Sequence, residues 1–194
     1  MEDMPRGRFV IMTVGMTHSG KTTFATELEK VLQQDAVVID QDNHAAFINA
    51  HYMKLRPSEG PNTLKFSITN TIVAYAVEHS HMHIILSNSN LHEPSRRNVL
   101  RYFQEKGFKR ILVYFDLPFH LLEERVEKTQ RKNKIFRNAS SFSEVLDRQR
   151  DSKQDQPGLE EADYLFVIKD PRDFPVILGQ IRDLCMDNER REQE

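Results

Sequence analysis

The chain has 194 residues, 39% of them hydrophobic, a formal charge of −2 and a single cysteine. That composition supports one sizeable core and one domain over residues 1–194, and it lacks the positive excess that would hold nucleic acid non-specifically. Cys185 has no internal disulfide partner and falls on a helical apolar stripe with Ile177, Leu178, Ile181 and Leu184, which fits a packed thiol in a reducing, cytoplasmic setting; no apolar run is long enough to span a bilayer, so no membrane association is expected.

The first element is an unbroken apolar run, Phe9-Val10-Ile11-Met12-Thr13-Val14, which reads as a buried strand. It leads into Gly15-Met16-Thr17-His18-Ser19-Gly20-Lys21-Thr22, which satisfies the spacing GxxxxGK[ST] at every required position. Apolar residues at helical spacing follow, Phe24, Leu28, Val31 and Leu32, so the motif sits between a strand and a helix running from about Gly20 to Gln34. In such a unit backbone N–H groups wrap phosphate oxygens and the positive end of the helix dipole faces the same charge. The expected nucleotide-binding set is Gly15 to Thr22 together with Thr23. Within it Lys21 reaches the β- and γ-phosphates and Thr22 offers its hydroxyl to Mg²⁺.

A second buried strand, Ala36-Val37-Val38-Ile39, ends in Asp40-Gln41-Asp42. Residues 43–63 hold Pro57, Gly60 and Pro61 and read as an irregular connection with a helical turn near Ala45–His51. A helical period runs from Leu64 to Ala76, and Ile84-Ile85-Leu86 forms a third strand that ends in Ser87-Asn88-Ser89-Asn90-Leu91. Pro94 suits a helix first turn, and Gly107 stops that helix. A fourth strand, Ile111–Phe115, precedes Asp116 and a helix with Leu121, Leu122 and Val126 inward. Arg131, Lys132, Lys134 and Arg137 then form an acid-free basic stretch, followed by a short helix over Phe142–Arg150, a fifth strand over Tyr164–Ile168 and a last helix over about Phe174–Asp187.

Strands alternating with helices imply right-handed crossovers and a parallel five-stranded sheet covered on both faces, a three-layer α/β/α sandwich. Ligands of such sheets lie beyond the carboxyl ends of the strands. The phosphate loop, Asp40, Asp42, Asn88, Asn90 and Asp116 all fall on that edge. His79, His81 and His83 alternate without a carboxylate or thiol at ligand spacing, and solvation at a helix end accounts for them better than a metal.

With these residues in view, the chain resembles the P-loop kinases related to polynucleotide kinase and zeta toxin, with nucleoside-monophosphate-kinase architecture. The resemblance rests on the phosphate loop, Ile39-Asp40-Gln41-Asp42, Asn88-Ser89-Asn90-Leu91 with Arg96-Arg97, Phe115-Asp116-Leu117-Pro118 leading to Arg125, and Phe142–Leu146 with Arg148 ahead of Glu161-Ala162-Asp163. It implies sheet order 2-3-1-4-5, a helical basic lid inserted at about residues 125–156, and Mg²⁺-dependent phosphoryl transfer from ATP to a hydroxyl. Asp42 then takes the place of the base that accepts the acceptor's proton, its alternative being a helix N-cap. Asp40 is either an orienter of Mg²⁺-bound waters or the cap of a turn. Arg125 and Arg131 are the lid cations expected to stabilise the transferring phosphoryl group, while Lys132, Lys134 and Arg137 read as a solvated face.

Two positions depart from that family. Asn88 stands where an aspartate is usual, and Ala45 where an arginine holds the acceptor phosphate. With a negative net charge and no basic track, and with Phe47, Tyr52 and Phe66 read as packing under the rim, a small acceptor such as a sugar, nucleoside or nucleotide-sugar is expected over a polynucleotide 5′-hydroxyl. The alternatives from other classes are an NTP-dependent regulatory ATPase and a non-catalytic ATP-binding module. The chain is expected to act as a monomer or homodimer.

Overall fold

The apolar runs of the sequence become parallel strands in the computed structural model, which describes residues 7–130, 142–151 and 156–191. The strands are β1 (Phe9–Gly15), β2 (Ala36–Ile39), β3 (His83–Leu86), β4 (Lys109–Phe115) and β5 (Tyr164–Ile168), in the order β2-β3-β1-β4-β5. This is the order implied by the resemblance. β1 is central, with Ile11 aligned to Ile85 on one side and to Ile111 on the other, and all of its residues are buried. Such burial on both faces is why it reads as a continuous apolar run instead of an alternating one.

The helices are α1 (Lys21–Leu32), α2 (Gln41–His51), α3 (Thr63–His79), α4 (Glu93–Glu105), α5 (Phe119–Gln130), α6 (Phe142–Asp151) and α7 (Asp173–Arg191). Alternate β1 side chains enter two separate cores, as the strand's period of two requires. Phe9 and Ile11 pack with Phe24 and Leu28 of α1, Leu122 and Val126 of α5, and Ile181 and Cys185 of α7. Val10, Met12 and Val14 pack on the other face with Val77 of α3 and Leu100 and Phe103 of α4. Full burial of each large apolar side chain is worth about 1.5–3 kcal/mol. α1 and α7 therefore cover one face and α3 and α4 the other, leaving the carboxyl edge of the sheet between them for ligands.

The connection after β2 differs from its sequence reading. α2 begins at Gln41, directly after the strand, because Asp40 Oδ1 accepts the backbone N–H of Asp42 at 2.8 Å and caps the helix. Ile48 is the one buried residue of that helix, so no apolar stripe marks it in the sequence. Phe47 and Tyr52 do not pack under the rim; they are 48% and 47% exposed and meet each other with ring centroids 5.6 Å apart.

His83 is likewise not a solvated helix end. It is buried at the start of β3, where Nδ1 accepts the Phe9 N–H at 3.1 Å and the ring meets Phe9 edge-on at 5.6 Å. Burial pushes the imidazole from 6.5 down to about 4, against an opposing pull from Asp35. Between those values the unfolded chain binds more protons than the folded one, so stability is complete above about pH 6.5 and falls as pH drops toward 4. The expected loss is about 3 kcal/mol across that window. Urea denaturation at pH 7 and pH 4.5 measures it, and His83→Asn, which keeps an acceptor near Nδ1, should remove this part of the slope. An unchanged slope in the variant would show that another group sets it.

Candidate active site

β1 delivers the chain to the phosphate loop between β3 and β4, and the close quarters dictate the residues there. A Cβ on Gly15 would lie 2.9 Å from Phe115 Cβ and 3.1 Å from Phe115 O, at φ +151°, so glycine alone fits. Its N–H donates to Ser89 O at 2.9 Å, tying the loop to the end of β3. Gly20, at φ +103°, turns the chain into α1. His18 also adopts a positive φ, 60°, and its Nδ1 pairs with the Thr17 hydroxyl at 3.0 Å.

Lys21 lies across the loop, with Nζ donating to Met16 O at 2.5 Å and to Ser19 Oγ at 3.2 Å. Burial lowers its ammonium to about 8, against the raising effect of Asp42 and then Asp40. A cation held at the N-terminus of α1 among loop amides is suited to an anion. Thr22 Oγ1 donates to Asp40 Oδ2 at 3.5 Å and accepts from Ser87 Oγ at 3.5 Å. Asp40 is buried, and burial raises its carboxyl pKa in spite of the Asp42 N–H and the Thr22 hydroxyl. The cap and the place beside Thr22 are thus filled by two oxygens of one carboxylate. Asp42 is left exposed in the first turn of α2, on the wall of the groove that also contains Lys21.

The loop after β3 is locked by side chains. Asn90, with φ 47°, donates from Nδ2 to Thr13 O at 2.8 Å. Arg96 donates from Nη1 to Asn90 O at 2.9 Å and forms a fully buried two-pronged pair with Glu161, Nε to Oε2 at 2.7 Å and Nη2 to Oε1 at 2.9 Å. Glu161 Oε1 also accepts the Gly158 N–H at 2.9 Å, so one ion pair joins the segments before α4 and before β5. Removing one partner strands a buried charge. Glu161→Ala is expected to cost about 3–5 kcal/mol in urea denaturation, and Glu161→Leu with Arg96→Met much less. Equal losses in the two variants would mean that the pair contributes packing volume and not charge balance. Asp116, also at the carboxyl edge of the sheet, lies within 3.5 Å of the Tyr114 hydroxyl, which donates to it, and it is not part of the groove wall.

From the other side, Arg125 of α5 donates through Nη1 to His18 O at 3.0 Å and Ser19 O at 3.1 Å. Arg125, expected to act on the transferring phosphoryl group, here grips the loop's own carbonyls. Gln149 of α6, which sequence reasoning passed over, accepts the Thr17 N–H through Oε1 at 2.7 Å. The available signal was its spacing: Val145 and Gln149 are one helical turn apart beside buried Leu146 and so share a face, and both line the groove. Arg150 lies over the Phe119 ring at 4.9 Å and ties α6 to α5. Arg131, with Lys132, Lys134 and Arg137, lies outside the described residues.

Lys21, Thr22, Asp42, Asn90, Arg96, Arg125 and Gln149 line one groove of about 1440 Å³, and Asp40 and Glu161 lie behind its wall. It extends from Pro171 and Phe174 at the start of α7, past Lys21 and Asp42, to Lys65, Phe66 and Asn70 on α3. Phe66, expected to pack under the rim, is 41% exposed on this wall.

A family model described as AAA domain matches residues 10–155. No curated protein matches the sequence. Among solved structures, a candidate kinase of Chloroflexus aurantiacus is 14% identical with a TM-score of 0.68, covering 94% of this chain and 98% of its own. Kti12 of Chaetomium thermophilum in complex with ADP-AlF3 is 15% identical at TM-score 0.63, over 90% of this chain and 97% of its own. The APS kinase CysC of Mycobacterium tuberculosis, in complex with AMPPNP and APS, is 19% identical at TM-score 0.61, over 93% and 98%. At these identities the likeness is one of fold.

Proposed function

The chain belongs to the AAA domain family, and from that premise we propose that it is a kinase moving the γ-phosphate of ATP to the hydroxyl of a small acceptor. The observation that carries this reading is the two-sided groove. At about 1440 Å³ it exceeds the roughly 300–1,000 Å³ of a usual single-ligand cleft, and it continues past the phosphate loop on both sides with Asp42 on its wall. A structure of the same fold holds two ligands at once, AMPPNP and APS.

In this reading the loop N–H groups and Lys21 hold the β- and γ-phosphates. The acceptor oxygen attacks Pγ and its proton passes to Asp42. The bond from Pγ to the β–γ bridging oxygen breaks, and ADP leaves with the electron pair. Arg125 and Gln149 fix the outer turn of the loop so that its amides stay aligned as charge moves. Thr22 and Asp40 would hold Mg²⁺: a hydroxyl and a carboxylate oxygen 3.5 Å apart suit an ion that takes one or two protein ligands plus phosphates. When bound, Mg²⁺ neutralises charge on the phosphates. Arg131 remains the second proposed lid cation. Lone, buried Cys185 supports a cytoplasmic setting, and the described helices include none long and apolar enough to cross a membrane.

A polynucleotide 5′-hydroxyl acceptor is the second reading, favoured by the exposed Phe47 and Tyr52 near Lys54 and Arg56. ADP release measured with small alcohols and with 5′-hydroxyl oligonucleotides separates the two. Stimulation by a small alcohol is the expected result. Stimulation by oligonucleotides that is lost as salt is raised would select the second reading, and release unchanged by every acceptor would leave a hydrolase.

A further inference from the structure

The end of α2 and the turn after it form an apolar surface with a cationic edge. Ala46, Phe47, Ala50 and His51 make one exposed face of α2, and Tyr52 with the 3₁₀ turn Met53–Leu55 extends it, every residue of that turn being exposed. Met53 and Leu55 are 64% and 65% exposed, more open than the rings of Phe47 and Tyr52. The three rings hold one another, Phe47 to His51 at 5.1 Å and His51 to Tyr52 at 6.4 Å between centroids. No acid occurs from Asn43 to Ser58, in a chain with 29 acids against 27 lysines and arginines, whereas Lys54 and Arg56 alternate with Met53 and Leu55. Arg56 donates to Asn49 Oδ1 of α2, which fixes its cation beside the helix. None of these residues belongs to the wall of the groove.

We propose that this surface docks the protein on an anionic lipid bilayer. Met53 and Leu55 enter the boundary between headgroups and acyl chains, the amphipathic rings lie at headgroup depth, and Lys54 and Arg56 pair with the lipid anions. The expectation of no membrane association rests on the lack of a spanning run, and a segment that lies on a bilayer needs none. Area and ring geometry favour lipid over a macromolecular partner. With about half of each ring and about two thirds of Met53 and Leu55 open, the apolar area is on the order of 400 Å². That is half of the roughly 800 Å² each partner gives to a standard protein complex. A bilayer requires no such matched area, because its fluid surface moulds to an apolar tip and its charge adds to the attraction. A nucleic-acid strand fits less well: Phe47 and Tyr52 meet at 62° and not as successive stacking faces, and Met53 and Leu55 offer no ring to a base.

The test is co-sedimentation of the full chain with vesicles of phosphatidylcholine alone and of phosphatidylcholine with about one quarter phosphatidylserine. Partition into the mixed vesicles is expected to be at least about fivefold stronger than into phosphatidylcholine. The double variant Met53→Ser, Leu55→Ser should lower it by at least about tenfold. Lys54→Gln should lower it about fivefold on mixed vesicles and leave the phosphatidylcholine arm unchanged. These side chains are exposed, so the variants should keep the wild-type melting temperature and, without vesicles, the wild-type rate of ADP release. Sedimentation with neither vesicle, equal partition into both, or mixed-vesicle binding that survives the double variant would each overturn the proposal. Salt-sensitive binding of a 5′-hydroxyl oligonucleotide, lost in the double variant while vesicles stay unbound, would assign the surface to a polynucleotide instead. The proposal stands apart from the phosphoryl-transfer reading, and its failure would leave that reading unchanged.

Discussion

Lys21→Ala is expected to weaken ATP binding and to lower phosphoryl transfer by on the order of 10³-fold, with the fold intact. The side chain reaches back over the loop to Met16 O and Ser19 Oγ, so its charge lies inside the phosphate cradle. That charge is carried at a cost, since burial lowers the ammonium to about 8. An anion in the loop offsets the cost, and the attraction strengthens as charge spreads over the transferring group, which is why both affinity and turnover fall without it. Removing a cation that is unfavourably buried should leave the melting temperature unchanged or higher. Nucleotide affinity by calorimetry and single-turnover transfer measure the two losses. Wild-type turnover in the variant would place the chemistry elsewhere in the chain.

Asp42→Asn is expected to leave ATP affinity near wild type and to lower turnover by about 10²–10⁴, the size of a lost general base. The two carboxylates at the end of β2 separate by environment. Asp40 is buried, caps α2 and faces Thr22, while Asp42 is exposed in the groove. Asp40→Asn should therefore reduce stability and Mg²⁺ dependence together, whereas Asp42→Asn should reduce only the chemical step. A collapse of ATP affinity in folded Asp42→Asn would assign Asp42 to the metal shell.

The sheet and the phosphate loop were legible in sequence because both are local. A strand buried on two faces must be a continuous apolar run, and β1, β2 and β5 appear at the expected residues. The loop is legible because few residues allow its backbone, as the contact between a Cβ at Gly15 and Phe115 shows. Only the later part of α2 is legible, as a helical turn near Ala45–His51, because a helix with one buried residue carries no period. Capping is a role the sequence leaves open for both Asp40 and Asp42, and Asp40 performs it while also facing Thr22. Gln149, and the pairing of Arg96 with Glu161, were hidden for another reason. Each acts on a partner far along the chain, Gln149 on Thr17 and Arg96 on Glu161, and no spacing rule encodes such a pair. The exposed rings of Phe47, Tyr52 and Phe66 show the same limit, since composition does not tell a ring beneath a rim from a ring upon it.

The most direct test of the central claim follows the label of [γ-³²P]ATP with wild-type and Asp42→Asn protein, in the presence of small ring-bearing alcohols. Transfer at the site built from Lys21 and Asp42 predicts that the label appears on the alcohol, at a rate at least about 10²-fold lower in Asp42→Asn. Label recovered only as inorganic phosphate with every acceptor, at the same rate in both proteins, would contradict it.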